Sequence, residues 1–349
     1  MIRLIVPAGF ALVFATGHTV STDYSKERSL RIESVTTFNM EQTSFEMEID
    51  GESRDRPGGG QSSEETRTTV QVDTVLEHED GEPTRVRRVF EEMTSSSSRT
   101  FGDQSRDSDR DGALHEVTIE ITVDEDGDVI TEVAEGSEPD DDAALAGHVP
   151  TLALDALLPD GEVDVDDTWD IESDDVMRAL GLDLSKALFP PAPREEGGGG
   201  GRGGGRGGFR GRGGASTADM FTQGEWEGEA TLVSVSEEYE GESCVVIEVK
   251  FETSGDLPEQ EFRGGRRGRA PGSLLEPAAP RESTFEIELE GRLFFSVENG
   301  RPVYFEIEGT MTTERNTERD IGGDRHMSMS STSEGTFTHT VTVTEQKSE

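Results

Sequence analysis

One pattern occurs at two distant places and restricts what this chain can fold into. It is an alternating strand, a tight turn ending in glycine, and an alternating return strand. The first copy runs from Val117 to Val123, turns at Asp124 to Gly127 and returns over Val129 to Gly136. The second runs from Arg292 to Val297, turns at Glu298 to Gly300 and returns over Val303 to Gly309. In both, the turn glycine lies nine positions before a second glycine that is read as the end of the return strand. Alternation around an Asp-Gly or Asn-Gly turn is the strongest short-range hairpin signal. The first turn is one residue longer than the second, so the two registers do not superpose.

The rest of the chain extends this pattern. Leu30, Ile32, Phe38, Met40, Phe45, Met47 and Ile49 alternate over one long segment, and Phe337 to Val343 alternate near the end. Segment 94–112, rich in Ser, Arg and Asp, reads as a loop, as does 54–63. Acids before Ala143, a proline at 150 and Ser173 as N-cap, with Gly181 as a stop, place the helical residues within 140–188. Proline and glycine then dominate, and the nearly pure Gly/Arg tract that follows cannot bury a core. The expected organisation is a leader at 1–20 and an N-terminal β half at 24–194. A disordered Gly/Arg linker at 195–217 and a C-terminal β half at 218–347 follow. The expected fold is mainly β: two consecutive antiparallel meanders in curved sheets or half-barrels, covered by short helices.

Met1-Ile-Arg3 followed by an apolar run to Ala15 has the form of a secretory leader, with Val13 and Ala15 at the small-residue positions. The run falls short of the ~20 residues needed to span a bilayer. The expectation is therefore an exported protein without a transmembrane span. Cys244, the single cysteine, cannot form an internal disulfide and reads as a buried strand residue. With 75 acidic against 32 basic residues the formal charge is −43, which argues against nucleic acid as a partner. The same charge repels itself, and salt screens that repulsion, with a Debye length of ~3 Å at 1 M. Hydrophobic content is 31%, below the roughly 45–50% of ordinary domains.

Leu158 to Trp169, Gly228 to Ser236, Cys244 to Val249 and the Asn-Gly hairpin together resemble uncharacterised exported β-rich bacterial proteins. In those, a Gly-Asp-Thr-Trp-like corner separates two β halves; here Asp166 stands at the glycine position. The plan is more distantly similar to the half-barrel of periplasmic lipoprotein carriers, a curved sheet whose hollow short helices cover. The resemblance implies a fold and a compartment, and no catalytic residues.

Signals for chemistry are weak. Asp107, Asp109, Asp111 and Gly112 open like a calcium loop, but position 118, where the closing acid belongs, is threonine. The Arg-Gly-Gly tract resembles RNA-binding repeats, although an exported protein seldom meets RNA. No nucleophile elbow, His-Glu-x-x-His or Cys-x-x-Cys occurs. His78, His115, His148, His326 and His339 are scattered, with His339 on a strand face between Phe337 and Val341. Trp169 and Trp226 read as core anchors. No catalytic, cofactor-binding or metal-binding residue is assigned. The expected role is non-enzymatic, with an apolar ligand or partner segment in the sheet hollow. The alternative is a structural or adhesive surface protein that uses its acidic face and basic loops.

Overall fold

The computed structural model describes residues 17–25, 28–53, 60–182, 184–190, 220–257, 282–320 and 326–346. The Gly/Arg linker 195–217, the basic loop 263–272 and residues 1–16 of the leader lie outside them. The first strands are β1 (His18–Thr19), β2 (Ser29–Ile49), β3 (Glu52–Ser53), β4 (Gln61–Glu79) and β5 (Glu82–Phe101). Then come β6 (Gln104–Asp111), β7 (Thr118–Val123), β8 (Val129–Glu135), β9 (Glu162–Val163) and β10 (Thr168–Ile171). The second run comprises β11 (Trp226–Tyr239), β12 (Glu242–Asp256), β13 (Glu282–Ser296), β14 (Arg301–Asp320) and β15 (His326–Gln346). The 3₁₀ turns Asp142–Ala144 and Ala153–Leu157 lie between β8 and β9, and helices α1 (Ser173–Ala179) and α2 (Ser185–Leu188) lie between β10 and β11.

The fold is mainly β, and its antiparallel sheet does not close into a barrel. β1 and β9 pair with each other, and every other strand belongs to one 13-stranded sheet. Its main path is β10-β11-β12-β13-β14-β15-β2-β4-β5-β7-β8, with β3 beside β2 and β6 beside β5. The two meanders therefore share a single sheet. Their seam is β15 against β2, paired from Gln346 with Ser29 to Met327 with Ile49. This topology has a steric consequence. β8 and β10 are successive strands of this sheet, with only β9 of the two-stranded sheet between them, yet they lie at opposite ends of the strand order, so the connection between them has to link the two ends of the sheet. The 3₁₀ turn Ala153–Leu157 and α1 lie on one face, where Leu154, Leu157, Val176 and Leu180 join the main core.

Strand sequences show which face is buried. Val245, Ile247, Val249 and Phe251 of β12 alternate into the main core. Cys244 and Val246 contribute instead to a cluster with Phe294 and Val303. Being buried on both sides, β12 starts as a continuous apolar run rather than an alternating one. The aromatic centre of the main core is Phe38, Phe221 and Phe337, with ring centroids 4.8–5.3 Å apart. Trp226 is buried beside Phe221 and donates its indole N–H to the Phe221 carbonyl at 3.0 Å. Trp169 packs at the core margin and donates to the Leu157 carbonyl at 3.2 Å. Both tryptophans thus anchor the core, each with its polar handle satisfied.

Four local expectations are corrected. Segment 94–112 is not a loop: β5 continues to Phe101, turns at Gly102 and pairs with β6 from Phe101 with Gln104 to Thr94 with Asp111. Its Ser and Thr residues satisfy the backbone through the ladder, and composition alone hid a strand without an apolar face. Gly309 does not end a strand; it lies inside β14. A Cβ there would stand 1.9 Å from the Glu288 carbonyl oxygen, so the position serves close strand approach. The two hairpins therefore differ in the role of their second glycine, since Gly136 directly follows β8. Residues 140–158 form two 3₁₀ turns rather than α-helix. Ser173 is the first residue of α1 rather than its cap, and its hydroxyl accepts the Trp226 backbone N–H at 3.0 Å.

The Asp166 corner adopts φ +74°, the region that favours glycine, and its N–H donates to the Leu232 carbonyl at 2.8 Å. The glycine-like geometry is retained without the glycine. β1 and Val20, which is 1% exposed, belong to the folded body.

Candidate functional site

A cavity of about 160 Å³ lies between the sheet and its cover. Its floor is the seam between the chain's ends. Thr36 and Phe38 of β2 and His339 and Val341 of β15 meet there with Asp73 of β4 and Arg88 of β5. The roof is formed by residues around His148 and Leu154 and by Ala179 to Leu182 after α1. The size is comparable to the ~150 Å³ apolar cavity that admits benzene. It is well under the ~300 Å³ at which pockets for drug-sized ligands begin.

Charged groups in the lining are internally paired. Arg88 and Asp73, 7% and 6% exposed, make a two-pronged ion pair at 2.7 and 2.8 Å. Arg88 also donates to the Val149 carbonyl at 3.3 Å and faces His148 Nδ1 at 3.4 Å. A guanidinium only donates, so His148 accepts on Nδ1 and gives its Nε2 proton to the Ala144 carbonyl at 3.0 Å. Burial, then the nearby Arg88 charge, push the His148 pKa down to about 4. Arg67 binds Glu65 at 2.9 Å and stacks over the rings of Phe38 and Phe189, at 5.4 and 5.2 Å.

His339 is different. It is 2% exposed, between the rings of Phe305 and Phe337, and its Nδ1 lies 2.8 Å from Thr36 Oγ1. Its Nε2 is sealed from water and makes no well-aligned hydrogen bond among the described residues. Burial pushes its pKa down to about 4, against a smaller opposing pull from the Ala179 carbonyl. Thr36 and His339 have the spacing of a nucleophile and base, yet among the described residues no carboxylate orients the far nitrogen as a hydrolytic triad requires.

The N-terminal segment secures the roof. Tyr24 and Thr22 both donate to the Asp155 carboxylate, Thr22 at 2.6 Å, and Tyr24 accepts the Leu152 N–H at 2.7 Å. Burial raises the Asp155 pKa to about 6, against those hydrogen bonds.

The calcium reading does not fit the strand. Asp107, Asp109 and Asp111 sit at alternate positions of β6, so neighbouring Cα atoms are about 6.6 Å apart along one side and do not converge on an ion. Among the described residues, no group of three or more His, Cys, Asp or Glu is placed to hold a metal. Asp124 caps its own hairpin, accepting from the N–H groups of Asp126 and Asp128 at 2.9 Å. The Cys244 thiol is buried, and burial raises its pKa, which matches a packing role. His115 accepts the Met93 N–H at 3.0 Å, and His326 lies 3.8 Å from Glu318, both away from the cavity lining.

Asp73, Arg88 and His148 were not singled out as site residues from the sequence. A signal existed at Arg88, which shares strand parity with Val86 and Phe90, both buried. A charge on the core-facing parity of a strand marks a buried pair.

No protein-family model matches this chain, and no curated protein matches it. One solved structure, OccK11 (OpdR) of Pseudomonas aeruginosa, is 8% identical over 95% of this chain and 99% of that one. Its TM-score is 0.14, which carries no argument about fold or function. Among the described residues, no helix is long and apolar enough to cross a membrane.

Proposed function

We propose that this is an exported, non-enzymatic binding protein that holds a small apolar ligand between its sheet and helical cover. The observation that carries this reading is the cavity at the β15–β2 seam, roofed by the segment that joins opposite ends of the sheet. Its walls are mostly apolar, with a few convergent polar groups, which is the usual composition of a ligand site. The unsupported Thr36–His339 pair favours binding over hydrolysis. A hollow under short helices also fits the carrier-like plan, with a ligand nearer one aromatic ring than an acyl chain.

The test is binding of toluene and p-cresol to the purified protein, followed by ligand-observed NMR and by thermal shift. Saturable 1:1 binding that Thr69→Phe abolishes is expected, since Thr69 lines the cavity. If neither compound binds, the reading fails. Export carries its own check. Cleavage after Ala15 leaves β1 and the buried Val20 intact, whereas cleavage after residue 20 removes them. N-terminal sequencing of the exported form is expected to begin at Thr16. A start beyond Val20, or retention of the whole chain in the cytoplasm, opposes it.

A further inference from the structure

We propose that segment 20–25 is a strap that regulates the cavity, holding the roof turn Ala153–Leu157 shut through Asp155 and letting go more readily at pH 7 than at pH 5. This rests on the binding role proposed above and adds how that site is regulated. Leu152, Leu154, Leu180 and Leu182 of the roof are 1–5% exposed, so ligand exchange needs part of the cover to lift.

The parts of the cover are tied down differently. Around His148, Arg88 of the floor donates to the Val149 carbonyl and faces the imidazole. α1 is pinned to β11, where the Ser173 hydroxyl accepts the Trp226 N–H and Val176 packs so closely on Gly228 that an added Cβ would lie 2.9 Å from it. The roof turn is held from outside by the strap. Thr22 donates to Asp155 Oδ1 at 2.6 Å, Tyr24 donates to Oδ2, and the Tyr24 oxygen accepts the Leu152 N–H at 2.7 Å. Val20, in the main core, fixes one end of the strap, and the Asp23 N–H ties the other to the Gly300 carbonyl at 2.9 Å. Thr22 and Tyr24 are the parts that let go. They lie between β1 and β2 and belong to no strand, so releasing them leaves every ladder of the 13-stranded sheet intact.

Asp155 supplies the pH dependence. Its carboxylate faces Thr22 and Tyr24 of the strap and the backbone at Leu152. Glu82 of β5 acts on it with like charge, and Asp73 of β4 does the same to Tyr24. None of these groups is a cation, and Arg28 at the start of β2 is held by the Asn299 and Gly300 carbonyls at 2.5 and 2.8 Å. Burial raises the Asp155 pKa to about 6 while the strap is closed, whereas a carboxyl released into water titrates near 4. The closed strap is therefore most stable below about pH 4 and loses stability as pH rises through 6. From pH 5 to pH 7 this linkage shifts the equilibrium about tenfold towards the open strap. His148 has the opposite sign, because its folded pKa of about 4 lies below the ordinary value. A motion that wetted its ring would open on acidification instead.

The experiment follows amide hydrogen exchange at Leu152, whose N–H the strap holds, as protection factors of the intact protein at pH 5, 6 and 7. Protection at Leu152 is expected to fall about tenfold from pH 5 to pH 7, while Ile247 in the core of β12 does not lose protection. In Asp155→Asn the fall at Leu152 should vanish, since nothing in the latch then titrates. A second readout needs no variant: the dissociation rate of toluene, from the exchange broadening of its NMR signals, should rise by the same factor over the same pH range. Protection at Leu152 that stays flat or rises from pH 5 to pH 7, or that still falls in Asp155→Asn, overturns the proposal. A toluene dissociation rate that ignores pH while Leu152 responds also overturns it, because the strap would open without admitting a ligand. If toluene does not bind at all, the binding role is what fails, and exchange at Leu152 still decides whether the strap opens.

Discussion

Asp73→Ala is expected to destabilise the protein by about 3–5 kcal/mol, the cost of leaving one member of a buried ion pair uncompensated. The side chains of Arg88 and Asp73 are 8% and 7% exposed, so little water can replace the lost carboxylate. After the substitution, the Val149 carbonyl and the neutral His148 remain among the described contacts of Arg88, and neither carries a negative charge. The guanidinium cannot shed its proton to escape the cost, because arginine side chains are not deprotonated in proteins. The double substitution Asp73→Leu/Arg88→Met is expected to recover most of the loss, since a buried pair replaced by apolar groups of similar volume is often neutral. Urea denaturation of the three proteins gives the comparison. A single-variant loss below about 1 kcal/mol would mean that the pair is solvated and contributes as a surface pair does.

Local order in this chain was legible because it is written at short range. Leu30, Ile32, Phe38 and Met40 announce their face by even spacing, and Asp124 with Gly127 announces its turn. The β15–β2 seam has no such marker. His339 and Thr36 stand 303 positions apart, and alternation reveals a strand's faces without revealing its neighbour. The cover was equally hidden, because its position follows from β8 and β10 lying at opposite ends of the strand order. Segment 94–112 misled for a different reason. Its strands have backbone pairing but little apolar burial, so hydrophobic periodicity had little to report. The site occupies the places where long-range pairing decides, which is why its histidines looked scattered.

Acidification from pH 7 to pH 5 is expected to cost the fold about 2 kcal/mol for each of His148 and His339. Both have folded-state pKa values pushed down to about 4. An unfolded histidine titrates near 6.5. Between those values the unfolded chain binds protons that the folded chain refuses, so stability is intact above about 6.5 and falls as pH drops towards 4. Asp155 acts in the opposite direction. Its folded pKa is raised to about 6, so its contribution is full below the unfolded value near 4 and is lost as pH rises through 6. Acidification therefore restores part of what the histidines remove, and two histidines outweigh one carboxyl. The acidic surface is a competing influence, because neutralising it relieves repulsion. Most exposed carboxylates stay ionised down to pH 5, and molar salt screens the remainder. Urea titrations at pH 7, 6 and 5 in molar salt isolate the buried groups. Each of His148→Gln and His339→Gln should remove about half of the histidine-driven slope, and Asp155→Asn should steepen the loss in the wild-type background. A wild-type stability that stays flat from pH 7 to 5, or histidine variants that leave the slope unchanged, would show that water reaches both rings. The cavity at the β15–β2 seam would then be wet rather than a dry receptacle for an apolar ring.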